Sequence, residues 1–320
     1  MNRVVLILAG LLTVAMPLSL LAGQVWLDPF ATPVPQAGVI LLELRLPRAA
    51  LALVLGGGLG AAGAAMQGYL RNPLADPGLF GIAPMAALGA VLSFHAGYQA
   101  QAVLLPLFAL LGGAAGMALL ALIAGKAGGI TLFTLAGMML ASLAGALTSL
   151  AISLSPNPFA LSEIVTWLMG ALENRGWPDV WLALPATAAG LLLLHRAARA
   201  LDALSLGEAA AISLGVDPVR LLWLMIGGVG LIVGSGVAVA GVIGFVGLMV
   251  PHLLRPFTSK LPSATLVPSA LAGALLLLLA DCLCRIAPLA SGELRLGVAL
   301  SLIGAPFFLY LLLRLRRELV

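Results

Sequence analysis

Residues able to do chemistry are scarce in this chain. Its 320 residues hold 16 Lys and Arg, 12 Asp and Glu, three His and two Cys. A phosphate-cradling P-loop needs Gly-x-x-x-x-Gly-Lys followed by Ser or Thr, so that backbone amides wrap the phosphates and the hydroxyl holds magnesium. Here the Gly125–Lys126 pair is followed by Ala127, and Leu120 stands where the first glycine would be. ATP and magnesium chemistry is therefore expected in a partner subunit. The histidines His95, His195 and His252 are far apart, and no His-Glu-x-x-His pattern occurs. Cys282 and Cys284 are separated by one residue, so a mutual disulfide would be strained. On a helix they point about 200° apart, which makes them packing residues and not a metal face. No catalytic residue, cofactor or metal site is expected in this chain.

The apolar runs contain only mild polarity: Gln67, Ser142, Thr148, Ser149, Ser235 and Ser301. Two uses of these groups are open. They can hydrogen-bond one helix to another, or some can line a pathway. A path for a large amphipathic solute needs small side chains and weak affinity, so that cargo is not trapped.

The elements that would position these residues follow from composition. Hydrophobic residues make up 62% and charged residues 9%, against about 25% charged in soluble domains. That excludes an ordinary soluble domain, and it excludes disorder, which needs high charge and few apolar residues. A spanning helix takes about 20 apolar residues. The near-continuous runs predict an all-α, polytopic transmembrane bundle of about ten spans in one domain, 1–320. They do not show the alternating segments of about ten residues that mark a β-barrel. The spans fall near 4–22, 49–69, 78–94, 102–124, 131–154, 180–195, 221–239, 240–256, 265–284 and 296–313. The first resembles a signal peptide but is read as an uncleaved span. The stretch 155–179, with Trp167 and Trp177, predicts a short surface helix. The stretch 195–220 predicts two short helices, either a solvated insert or a docking element.

Orientation follows from the basic residues, because positive charge collects on the cytoplasmic side. With the N-terminus inside, Arg3, Arg71, Lys126, Arg196, Arg199, Arg220, Arg255, Lys260, Arg314, Arg316 and Arg317 are cytoplasmic. Only Arg45, Arg48, Arg175, Arg285 and Arg295 are outside. Both termini are therefore expected in the cytoplasm. The net charge of +4 carries no implication of nucleic-acid binding.

Four segments resemble one family. RLPRAALALVLGGGLGAAGAAMQGYLRNPLADPGLFGIAPMAALGAV (45–91) and GVIGFVGLMVPHLLR (241–255) are similar to the permease subunits of type II ABC importers for iron–siderophore, haem and cobalamin. So are LSLGEAAAISLGVD (204–217) and GELRLGVALSLIGAPFFLYLLL (292–313). The resemblance implies ten spans and a multi-pass protein of the bacterial inner membrane. It implies a permease dimer, two ATPase subunits, and a periplasmic or surface-anchored binding protein; the chain keeps both the coupling segment and the docking arginines, which favours a second copy in a homodimer over pairing with a sister permease. It places ATPase-coupling helices near 204–220, with Leu206, Gly207, Glu208, Ala211, Leu214, Gly215 and Asp217. It places a cytoplasmic gate at Gly129, Ile130 and Thr131, and a path near Ser142, Thr148, Ser149 and Ser301. Arg45 and Arg48 match the arginines that dock the binding protein, although snorkelling anchorage reads equally well. One departure is Glu293-Leu294-Arg295, where relatives often have proline after the glutamate. Arg295 either adds a third docking charge or pairs with Glu293. An iron chelate, siderophore or haem, is the expected cargo, with cobalamin the alternative. An ion-coupled carrier would instead need buried acids or broken helices at mid-membrane.

Overall fold

The computed structural model describes residues 2–23, 26–27, 36–97, 103–125, 129–155, 158–259, 261–287 and 292–319. Lys126 and Lys260 lie outside the described residues, and the side chains of Arg314, Arg316 and Arg317 are not described. Twelve helices follow in order: α1 (Asn2–Leu21), α2 (Ala37–Tyr69), α3 (Ile82–His95), α4 (Leu104–Ala124), α5 (Ile130–Ser153), α6 (Pro158–Leu168), α7 (Trp177–Leu204), α8 (Glu208–Ser213), α9 (Pro218–Ala240), α10 (Val246–Leu254), α11 (Pro262–Ile286) and α12 (Leu296–Leu319). No strand occurs among the described residues. Eight of the helices are long and apolar enough to cross a membrane, and α3 and α6 are shorter apolar helices. The expected all-α membrane bundle is what the chain forms.

Helix α2 is the axis. It packs along α11 and also meets α7, α10 and α9. In lipid, apolar side chains gain nothing by leaving an equally apolar solvent, so close backbone contact must hold helices together. The glycines of α2 supply that contact. A Cβ on Gly56 would meet the carbonyl of Gly273 and the Leu277 side chain. One on Gly60 would meet the Ser269 carbonyl, and one on Gly63 the Gly247 carbonyl. Gly56 and Gly60, four apart, thus let α11 ride directly on the α2 backbone. The same device joins α3 to α4 at Gly89 and Gly112, and α7 to α9 at Gly190 and Gly228. Pro47 lies inside α2, just after a π-helical stretch, Ile40–Arg45. That wider turn accommodates the missing N–H and the ring that would crowd a regular helix.

Two expectations change. Of the two short helices expected in 195–220, one forms as the six-residue α8, and the other, beginning at Pro218, is the start of the long α9, while residues 195–204 are the last turns of α7. The apolar run simply continues as an amphipathic one, with Ala197, Ala198, Leu201 and Leu204 still buried. The expected short span 240–256 is a half-helix. Gly241–Phe245 is irregular, and the α-helix that follows it, α10, has only nine residues before a 3-10 turn at Arg255–Phe257. Gly241 and Phe245 both have positive φ, 71° and 67°. The short surface helix expected in 155–179 forms as α6, and it packs on α3 with Ile164 fully buried.

Substituting Gly60 by Val is expected to force α2 and α11 apart. Such overpacking costs about 1–3 kcal/mol. Gly10→Val on α1, where a Cβ meets nothing within 4 Å, is the control. Thermal unfolding in detergent should fall by several degrees for the first and stay level for the second.

Candidate functional site

The most detailed local chemistry surrounds α8. Gly207 and Gly215 flank it with φ of 107° and 87°, a region that glycine enters without strain. The helix ends in a Schellman motif: the Val216 N–H donates to the Ala211 carbonyl and the Gly215 N–H to the Ile212 carbonyl, at 3.0 and 2.9 Å. Asp217 then caps α9. Its Oδ1 accepts from the N–H groups of Val219 and Arg220 at 2.9 and 3.2 Å, with Pro218 at the first helical position. The pattern Gly-Glu-x-x-Ala-x-x-Leu-Gly-x-Asp-Pro is thus a tightly determined turn, helix and turn. Three of its apolar side chains point away from the bundle: Leu206, Ile212 and Leu214 are 69%, 56% and 65% exposed.

Glu208 reaches across to α5. Its Oε1 is 3.5 Å from the Ile130 N–H, a long contact, at the first turn of that helix. A carboxylate is favoured there by the uncapped amides and the helix dipole. Gly129 precedes the helix in extended conformation, and Thr131 follows on its exposed side. A cavity of about 310 Å³ between them is lined by Tyr69, Gly129, Ile130, Glu208, Ala211 and Val216, among others. The residues expected as coupling segment and as gate, 78 apart in sequence for Glu208 and Ile130, are therefore brought together.

Ser142 and Ser149 lie one above the other on the exposed face of α5, with half-buried Thr148 beside them. Ser301 is exposed on α12, its hydroxyl donating to the Gly297 carbonyl at 2.7 Å. Within the chain these faces are not brought together: α5 packs on α3 and α4, whereas α12 packs on α11 and α10. Both faces are otherwise apolar and carry no charge between 131 and 153 or between 296 and 313. Gln67, by contrast, bonds between elements, donating to the carbonyls of Gly247 and Leu248 at 3.3 and 3.2 Å. Ser235 bonds back onto its own helix.

At the opposite end the arginines are engaged. Arg48 grips both carboxylate oxygens of Asp281 through Nε at 3.0 Å and Nη2 at 2.8 Å, and its Nη2 also reaches Glu293 at 2.7 Å. Arg285 closes on Asp281 from the other side at 3.1 Å. Asp281 is fully buried. Arg45 donates to the carbonyls of Leu20 and Leu21 at the end of α1. Arg295 pairs with Glu173, and not with Glu293 as one reading of the sequence had it. Arg48 and Arg45 are each only 9% exposed. As docking charges they are therefore masked in this conformation, because their first role is to knit α1, α2, α11 and the start of α12. Of the cysteines, Cys284 is buried packing and Cys282 accepts from Arg285 at 3.2 Å.

Sequence reasoning missed two features. One is the Asp281 cluster. Its signal was an acid in the middle of ALLLLLADCLCRI, four residues before an arginine. The other is Asp76, whose Oδ1 accepts from the Gly78 N–H at 2.7 Å and whose carboxylate also accepts from the backbone of Leu248. Burial pushes the Asp76 carboxyl above the usual range, against the pull of those two amides. It borders a cavity of about 400 Å³ beside the irregular Gly241–Phe245 stretch.

A helical membrane bundle with a helical knob at one end and an uncharged, hydroxyl-bearing outer face has the build of a permease. The comparisons identify its kind. The model of the FecCD transport family matches residues 5–314, and the chain belongs to that family. It is 39% identical over 318 residues to the vitamin B12 import system permease protein BtuC of Vibrio cholerae, covering 96% of this chain and 93% of that one. It is also 39% identical over 283 residues to the Fe(3+) dicitrate transport system permease protein FecD of Escherichia coli, covering 87% and 86%. A solved metal-chelate type ABC transporter in an inward-facing conformation superposes with a TM-score of 0.89 at 32% identity, over 98% of this chain and all of that one. The protein is thus an ABC importer permease, a membrane transport subunit.

Replacing Asp281 by Asn should leave two buried guanidinium groups short of charge. Breaking a buried pair costs about 3–5 kcal/mol. Arg295→Gln, at a partly exposed pair, should cost about 1 kcal/mol or less. Unfolding of the two purified variants against the parent protein, followed by intrinsic fluorescence, checks the contrast.

Proposed function

We propose that this chain forms half of a homodimeric importer in a bacterial inner membrane and that its cargo is a metal chelate. ATP and magnesium are handled by two ATPase subunits beneath it, and a binding protein delivers cargo from above. The observation that carries this reading is the uncharged outer face of α5 and α12. Hydroxyls at Ser142, Ser149 and Ser301 sit among apolar side chains there, with no charge to trap a cargo. A second copy would turn two such faces toward each other around a path fit for a bulky amphipathic solute. Both termini are inside in this reading, which puts α8 in the cytoplasm.

Coupling runs through α8. Leu206, Ile212 and Leu214 present an apolar knob to the ATPase, while Glu208 links the same element to the gate at Gly129, Ile130 and Thr131. Motion of the docked ATPase thereby reaches the first turn of α5 directly. The binding protein would dock at the Asp281 end, where Glu293 and Arg295 form the accessible rim and Arg48 and Arg45 stand behind it. Docking can favour one state of the permease only if its contacts differ between states.

An ion-coupled carrier is the weaker reading. Its two requirements, a buried acid and a broken helix, do occur at Asp281 and at 241–245. The acid is held by two arginines, however, and Asp76 accepts from the Leu248 N–H in the first turn of the half-helix that follows the break. As for cargo, relatives serve both iron dicitrate and vitamin B12. The longer match, 96% of this chain against 87%, favours cobalamin as the first chelate to try, ahead of the iron chelate expected from sequence.

Ile212→Asp combined with Leu214→Asp should cut co-purification of the ATPase by about tenfold or more, since apolar anchors at an interface are worth about 1–2 kcal/mol each. The variant should stay folded, because both side chains are exposed. Uptake of labelled cobalamin, haem and a ferric siderophore into proteoliposomes holding the whole assembly then reads the cargo. Uptake of none of them, with ATPase turnover intact, would count against a chelate importer.

A further inference from the structure

The two ends of the molecule treat arginine differently. Every described arginine at the Asp281 end, Arg45, Arg48, Arg175, Arg285 and Arg295, has a carboxylate or carbonyl partner. At the Glu208 end, Arg196, Arg199 and Arg220 are exposed and make no ion pair with any described acid. Arg196 and Arg199 also line a cleft of about 770 Å³ between α1, α7 and α11, together with His195, Asp202, Ser263 and Val5. They border a second hollow on the other side, which includes Arg220.

The setting of the cleft suggests its occupant. Counting about 1.5 Å per residue from Trp177 puts His195 and Arg196 about 30 Å along α7, the thickness of a bilayer's hydrocarbon. The cleft thus opens where headgroups lie. The walls leading from it toward the bilayer centre are apolar and exposed: Leu6 and Ile7 on α1, Leu192 on α7 and Val267 on α11. Two arginines at headgroup depth above acyl-compatible walls match a phosphate with chains attached. The acids nearby do not cancel them. Asp202 Oδ1 accepts from the Ser263 N–H at 2.8 Å, and Asp217 caps α9, so each already neutralises a helix N-terminus.

We propose that the cleft formed by His195, Arg196 and Arg199 between α1, α7 and α11 is a binding site for the phosphate headgroup of an anionic phospholipid. The site lies in the cytoplasmic leaflet if the proposed orientation holds. It fastens α1, the outermost helix, to α7 and α11, and it supplies the countercharge that this end of the chain lacks.

The test uses the whole permease–ATPase complex purified in mild detergent doped with phosphatidylglycerol, or with phosphatidylcholine as the neutral probe. Native mass spectrometry counts retained lipid per chain, a readout that depends on neither orientation nor transport. The parent complex should retain phosphatidylglycerol in preference to phosphatidylcholine. Arg196→Gln with Arg199→Gln should lower that retention by about tenfold or more, given roughly 1 kcal/mol per cation at a lipid surface. Arg255→Gln, outside the cleft, should not. Equal retention in the double variant would overturn the proposal. So would full displacement by millimolar glycerol phosphate, which would assign the site to a free phosphate. Loss of the ATPase with lipid retention unchanged would overturn it too, assigning the arginines to the subunit contact. Labelling of Ser205→Cys by a membrane-impermeant thiol reagent, in sealed cells and in inverted vesicles, tests the orientation separately.

Discussion

Direct contact between helix backbones is the constraint on which the rest depends. In a bilayer the apolar side chains of α2 would be as well solvated by lipid as by α11. What lipid cannot supply is the dense contact obtained when Gly56 and Gly60 meet the Ser269 and Gly273 backbone. That contact fixes α11 on α2, and α11 carries Asp281 at its far end. The buried charge cluster is possible only because the helices are already close. It costs desolvation, and Asp281 is held only because two arginines and ordered neighbours converge on it.

The break at Gly241–Phe245 obeys the same rule from the other side. Irregular backbone is tolerated at membrane depth only where protein satisfies it. At the first turn of α10, just after the break, Gln67 donates to the carbonyls of Gly247 and Leu248, and Asp76 accepts from the Leu248 amide. Both residues belong to the stretch 67–77, where α2 ends and the chain turns. The segment RNPLADP is thus more than a turn: it carries the acid that caps a half-helix 170 residues later. Asp76 sits beside a cavity at that junction, so irregular backbone and open space occur together there.

What the sequence made legible was periodic or local. Apolar runs announced the long helices. Resemblance placed Glu208 and Ile130 in coupled roles, and the fold brings them into contact. What stayed hidden was pairing across distance. Nothing local says that Arg48 belongs to Asp281 instead of solvent, because the two are 233 residues apart. The boundary at 195 was misplaced for a similar reason. A helix leaving the membrane turns polar on one face only, and composition reads that change as an end.

The charge pattern gains a physical meaning from these pairings. Counting arginines separates the two ends, but the count treats all arginines alike. In the fold, those of the smaller group are consumed in holding helix ends together, and Arg48 serves three elements at once. In the larger group, Arg196 and Arg199 on α7 and Arg220 at the start of α9 are left facing outward, whereas Arg255 is half-buried. An unpaired guanidinium at headgroup depth finds phosphate more readily than carboxylate, since few acids in this chain remain free of capping duty. In the proposed orientation, the asymmetry that orients the chain and the asymmetry that attracts lipid would be one feature. It arises because the end that needs no internal clasp can spend its cations on the bilayer.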